Sequence, residues 1–325
     1  MAGINIPGVT DKYNTNDTIE KLMKVERIPL TREEKQLETL KTQKDAWRDI
    51  NTHLTSLRDT IKTLYSSENP FNNKMTTSTD ENAITAAGKL VINPVINFTN
   101  TDNITAYGVE IVATGDFTNE GSFISENGDI SITSANFENA SLSELSANKD
   151  FVCNVTESFS NAGIITSASG KVDINTKSFI NKNYNLETPA KIKTENGLIN
   201  VTTSNFENSS DISAYLDFTC AEPEIFTNAG TITSETGKID VKAQIMENPG
   251  SLFAINGKID IFTELFETTK EIFGKNIDIN SQSSIFAGLV KSGVGDIYIS
   301  SDLLITHPVE FCLGGSLIIG TVENP

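Results

Sequence analysis

Beyond residue 88 the chain alternates apolar and polar positions in short runs: DISIT, KVDIN, LINVT, KIDVK, KIDIF and DIYIS. Period-two alternation puts Ile, Val and Leu on one face of a strand and Ser, Thr, Asp and Lys on the other. A glycine opens each run, and nine residues after it stands an aromatic or large apolar residue. Gly108, Gly128, Gly170, Gly197, Gly237 and Gly257 are followed in this way by Phe117, Phe137, Phe179, Phe206, Met246 and Phe266, and Gly295 by Leu304. Phe-x-Asn recurs at Phe98, Phe117, Phe137, Phe159, Phe179, Phe206 and Phe226, with spacings of 19, 20, 22, 20, 27 and 20. Met246 in MEN and Phe266 in FET extend the series. The unit is Gly-x-Φ-x-Φ-x4-Phe-x-Asn, where Φ is Ile, Val or Leu.

One such strand cannot bury its apolar face alone, whereas stacked copies bury a continuous core. The pattern therefore predicts a parallel β-helix over residues 88–325, with about 11 rungs stacked at about 4.8 Å. The Phe column is expected to be a core stack. The asparagines two residues on, Asn100, Asn119, Asn139, Asn161, Asn208 and Asn228, are expected at turns, where Asn tolerates left-handed backbone and can hydrogen-bond from rung to rung. Two rungs place Asp150 and Asp217 where others have glycine, each with a cysteine three residues later, Cys153 and Cys220. These read either as buried thiols filling a variant rung or as a paired metal or redox feature. Excursions over 182–195 and 207–224 are predicted to interrupt the rungs.

Residues 1–87 follow a different pattern. Asp17 and Glu20 suit a helix start, Ile19, Leu22 and Met23 share a face, and Pro29 is expected to end that helix. Thr31 and Glu34 form a capping box for a second helix over about 31–66. Its apolar positions, Leu37, Leu40, Trp47, Ile50, Leu54, Leu57, Ile61 and Leu64, follow an a/d seam with one position missed at Lys44. The fold class expected is thus an N-terminal helical hairpin or coiled-coil segment followed by an all-β solenoid. Such a seam needs a partner: a second copy, another protein or the β-helix.

Composition sharpens the boundary. Residues 1–90 carry no net charge, so the whole −18 lies beyond them, as do 18 of the 21 glycines beyond residue 88. An acidic body disfavours nucleic acid and anionic lipid, which need clustered Lys and Arg. No apolar run is long enough for a transmembrane span, and MAGINIPGVTDK lacks the basic and apolar regions of a Sec signal peptide. Cys153, Cys220 and Cys312 form neither a disulfide framework nor a zinc pattern. The two histidines stand apart, His53 on the long helix and His307 before a proline in an expected loop. No phosphate-binding or dinucleotide fingerprint occurs, so no enzyme activity, cofactor or metal is expected.

The segment INIPGVTDKYNTNDTIEKLMKVERIPLTREEKQLETLKTQKDAWRDINTHLTSLRDTIKTLYSSENPF resembles the amino terminus of the flagellar filament cap family, the hook-associated protein 2 family. LMKVERIPL and QKDAW carry the likeness over residues 3–86, and the wording is most similar to spirochaete-type members, whose flagella are periplasmic. It implies export by the flagellar apparatus and coiled-coil contact with filament or hook-associated proteins through the helix, while the uncovered seam itself predicts self-association, a homo-oligomer, through residues 31–66. Residues 88–320, with phrases such as FTNAGTITS, resemble the filamentous-haemagglutinin-like repeats of secreted adhesins, which are right-handed β-helices. Two functions follow as expectations: a non-enzymatic flagellar assembly protein, or a surface adhesin whose rod binds a host or carbohydrate ligand.

Overall fold

A computed structural model describes residues 15–65, 83–93, 96–182, 188–221 and 223–321, without the side chains of residues 15, 59–65 and 83. The chain divides into two compact units, Met1–Asn73 and Lys74–Pro325.

Among its described residues the first unit holds one helix, α1, Thr15–Tyr65, which runs through Pro29 without a break. The expected hairpin is therefore corrected to a single helix. Pro29 removes one N–H and one intrahelical bond, but the residues around it are exposed, so the freed Val25 carbonyl is not shut away from solvent. Thr31 is not a cap. Its hydroxyl donates to the Arg27 carbonyl at 3.0 Å, a bond back along an uninterrupted helix. Thr39, Thr42, Thr52 and Thr55 do the same. Asp17, in the first turn, pairs with Lys21 at 2.9 Å.

The second unit is a parallel β-solenoid of about 11 turns, as the repeat predicted. Its first strand, Ala83–Ile92, begins ahead of residue 88. Each rung has three sides rather than the two that the motif describes. The Phe-x-Asn segment is itself a strand, as in Ser178–Asn181 and Asn205–Asn208, paired so that Phe179 faces Phe206 and Asn181 faces Asn208. A second side, missed in the repeat, is built from Ser122–Ser125, Glu144–Ala147, Ile164–Ser167, Lys191–Thr194, Asp211–Ala214 and Thr231–Ser234. The alternating runs after glycine form the third side, where Val172 faces Phe151 and Ile199, and Ile174 faces Cys153 and Val201.

Every side buries alternate residues, so the core consists of stacked columns. Phe117, Phe137, Phe159, Phe179 and Phe226 are buried, with ring centroids 5.4 Å apart for Phe117 and Phe137 and 4.3 Å for Phe206 and Phe226. Such ring pairs contribute about 0.5–1.5 kcal/mol each beyond the area they bury. Residues 207–224 are no excursion. They supply Asp211–Ala214 and Phe218–Ala221 as an ordinary rung, because the Phe206 to Phe226 step keeps the 20-residue length. Of the expected excursion over 182–195, residues 183–187 lie outside the described residues, and Lys191–Thr194 is an ordinary strand in register between Ile164–Ser167 and Asp211–Ala214. His307 lies within strand Ile297–Cys312, not in a loop.

Candidate functional site: an internal amide ladder and an exposed helix seam

The asparagines come together inside the solenoid. None of the described ones has left-handed backbone, since Leu142 is the one described non-glycine residue with positive φ. They end strands and point inward, correcting the turn expectation. Nδ2 of Asn100 donates to Oδ1 of Asn119 at 2.8 Å, and Asn119, Asn139 and Asn161 repeat the bond to Asn139, Asn161 and Asn181. The series continues through Asn181, Asn208 and Asn228 to Asn248, which ends it on the Thr268 hydroxyl at 3.2 Å. The amide orientation is dictated locally. Each of several Nδ2 groups also donates to a backbone carbonyl two residues on, such as Gly163 for Asn161 at 3.1 Å and Ser210 for Asn208 at 2.9 Å. A carbonyl cannot donate, so nitrogen must face it, and the chain of amides runs one way. Asn181 and Asn248 belong to this series although the expectation omitted them. Their signal, the x-Asn of FIN and MEN, was present.

A second column explains the two irregular rungs. Asp150 accepts the Lys171 N–H at 2.9 Å and Asp217 accepts that of Lys238 at 2.8 Å. Each carboxylate occupies space above the glycine of the next rung: a Cβ at Gly170 would lie 2.1 Å from Asp150 Oδ1, and one at Gly237 would lie 2.2 Å from Asp217 Oδ1. Where glycine follows glycine the approach is by backbone, and a Cβ at Gly197 would meet the Gly170 carbonyl oxygen at 1.8 Å. Aspartate and glycine are thus complementary ways of closing one corner.

Cys153 and Cys220 are buried in the third-side core column, and burial pushes both thiols up from their ordinary value. Cys312 is half-buried and donates to Glu310 at 3.3 Å, which also raises it. Among the described residues no group of three His, Cys, Asp or Glu is placed to hold a metal ion. On the outer third side Lys171 pairs with Asp173 and Lys238 with Asp240, both at 2.6 Å, while Lys258 lies between Asp260 at 2.5 Å and Asp278 at 3.3 Å. The hydrogen bond to Asp173 raises Lys171, and that to Asp240 raises Lys238. For Lys258, partial burial is outweighed by the bonds and charges of Asp260 and Asp278, so it too is raised.

On α1 the structure places Leu37, Leu40, Trp47, Ile50, Leu54 and Leu57 in exposed positions, from 48% for Ile50 to 71% for Trp47. Ile61 and Leu64 are on the same helix, with side chains outside the described residues. His53 is exposed and lies 3.5 Å from Asp49. No described helix is long and apolar enough to cross a membrane.

Residues 11–94 match the flagellar hook-associated protein 2 N-terminus. That span contains all of α1 and the first solenoid strand. Residues 128–210 match the haemagglutinin repeat, a span holding the ladder from Asn139 to Asn208. The chain is 58% identical over 89 residues to a flagellar hook-associated protein 2 of Treponema maltophilum, covering 27% of this chain and 13% of that protein. It is 38% identical over 86 residues to the protein of that name in Treponema pallidum (strain Nichols), covering 26% and 12%. The one in Borreliella burgdorferi is 35% identical over 71 residues, covering 22% and 11%. The chain therefore spans about an eighth of the length of these relatives. No solved structure matches it. The two matches do not overlap, and the whole seam, Leu37 to Leu64, lies within the flagellar one.

Proposed function

We propose that this chain is a non-enzymatic assembly protein of the bacterial flagellum, cap-like in its helix, with a β-solenoid where cap proteins carry their outer domains. The 58% identity to a hook-associated protein 2 through the helical segment carries this reading. An exposed apolar stripe on a helix is a surface that packs against another helix. The seam is accordingly the docking element toward flagellar proteins, and residues 1–30 direct export along the flagellar route. The solenoid has a rigid core of apolar columns and an amide ladder, and presents its outer strands as a scaffold.

The haemagglutinin-repeat match supports a second reading, a surface adhesin whose solenoid binds host or carbohydrate ligands. Fractionation of the source bacterium separates the two. The flagellar reading expects the chain in purified flagella and a filament defect on deletion of its gene. Recovery from the cell surface alone, with normal flagella in the deletion strain, would leave adhesion as the function. Removal of residues 1–30 is expected to hold the chain in the cytoplasm.

A further inference from the structure

With α1 taken as a docking helix, the charges around its seam show which kind of helix fits it. Leu40, Trp47 and Leu54 recur every seven residues, as do Gln43, Ile50 and Leu57, so Gln43 rather than Lys44 takes the polar seam position. Lys44 stands beside the seam. At about 100° per residue, one flank between residues 37 and 58 presents Lys41, Lys44, Arg48, Asn51, Thr55 and Arg58, four cations and no carboxylate. The other flank presents Thr39, Thr42, Ala46, Asp49, His53 and Ser56, mostly small and hydroxylated. Carboxylates gather on the back, at Glu38 and Asp45. All of these residues are exposed.

A second copy does not complement this arrangement. In a parallel pair the cationic flank of one helix meets the hydroxyl flank of the other, which sets a single carboxylate, Asp49, against four cations. In an antiparallel pair like flanks meet, setting cation against cation. A helix with Asp or Glu beside its apolar seam satisfies both the stripe and the cationic flank.

We propose that the α1 seam is the docking surface for an amphipathic helix of a different polypeptide, one whose flanks are acidic. This rests on the docking role above and adds the partner's chemistry.

Two synthetic helices about four heptads long, with the same leucine seam and either Glu or Lys on both flanks, serve as probes against the full chain. Trp47, the one tryptophan, reports burial of the seam by its emission. The Glu-flanked helix is expected to bind about tenfold more tightly at low salt, as several exposed charge pairs together supply. The contrast should fade toward about 1 M salt, where screening acts over about 3 Å. Lys44→Glu with Arg58→Glu leaves two cations and two carboxylates on the flank, and should abolish the preference and leave the solenoid's circular dichroism unchanged. Equal binding of both probes would overturn the charge complementarity and leave the docking role standing. A chain that dimerises in sedimentation, turns monomeric with Leu54→Asp and Leu57→Asp, and binds neither probe would make a second copy the occupant instead. A monomer that binds neither probe would remove the docking role as well.

Discussion

Replacing Asn161 with alanine cuts the amide ladder in its middle. Asn161 is fully buried, accepts from Asn139 at 2.8 Å and donates to Asn181 at 2.8 Å. After the change Asn139 Nδ2 keeps only a 3.4 Å contact with the Ile164 carbonyl, and Asn181 Oδ1 loses its donor. A buried polar group left without a partner costs about 1–3 kcal/mol, so two of them predict a loss of about 4 kcal/mol. Asn100→Ala is the matched control. Asn100 is also buried and also bonds the carbonyl two residues on, but among the described residues it heads the ladder, so within the buried column its removal orphans Asn119 Oδ1 alone, beside a part-buried Asp102 N–H that donates to Asn100 Oδ1 at 3.3 Å. Its cost should be about half, near 2 kcal/mol. Both chains are unfolded in guanidinium and followed by far-ultraviolet circular dichroism, comparing midpoints at constant slope. Equal losses in the two variants would show that the asparagines act one by one through their local carbonyl bonds, and would refute the ladder as an energetic unit.

The glycine corner gives a second contrast: Gly197→Ala must push the Gly170 backbone away and should destabilise strongly, whereas Gly108→Ala, with its nearest atom at 3.4 Å, should be nearly neutral in the same assay. The thiols should separate by rate: Cys312 is expected to react with a disulfide reagent in the folded chain, while Cys153 and Cys220 react only on unfolding. Prompt reaction of all three would contradict the closed core. The lysine–aspartate pairs predict a pH dependence. Lys171, Lys238 and Lys258 are raised in the fold, so their stabilisation is complete below the unfolded value of about 10.4 and is lost as pH climbs through the higher folded values. A melting point that falls above about pH 10 should fall less steeply when all three are changed to methionine.

Much of the solenoid was legible because a repeat writes its own contacts. Phe179 meets Phe206 and Asn181 meets Asn208 for the same reason that each pair shares a place in the motif. Period-two alternation likewise marked the third side. The second side escaped because its four-residue strands, such as IITS and TITS, lie among Ser, Thr and Asn with too few apolar residues to register as alternation. On the helix the seam residues could be listed from spacing alone, but the break at Pro29 could not be judged. Whether proline ends a helix depends on what surrounds the freed carbonyl, and here the surroundings are exposed.

Residue order along the chain carries the repeat length, the apolar columns, the change of character near residue 88 and the stripe along α1. These depend on which residues lie within a few positions of one another, and local order carries that information. The stacking of rungs is what turns the asparagines inward in one polarised chain and sets Asp150 and Asp217 against the backbone of the following rung. It also decided that a Cβ has no room at Gly197. Each of these involves atoms about 20 residues or more apart in the chain, brought within bonding distance by the 4.8 Å stacking of strands. Only the register of one rung on the next sets which of those atoms meet.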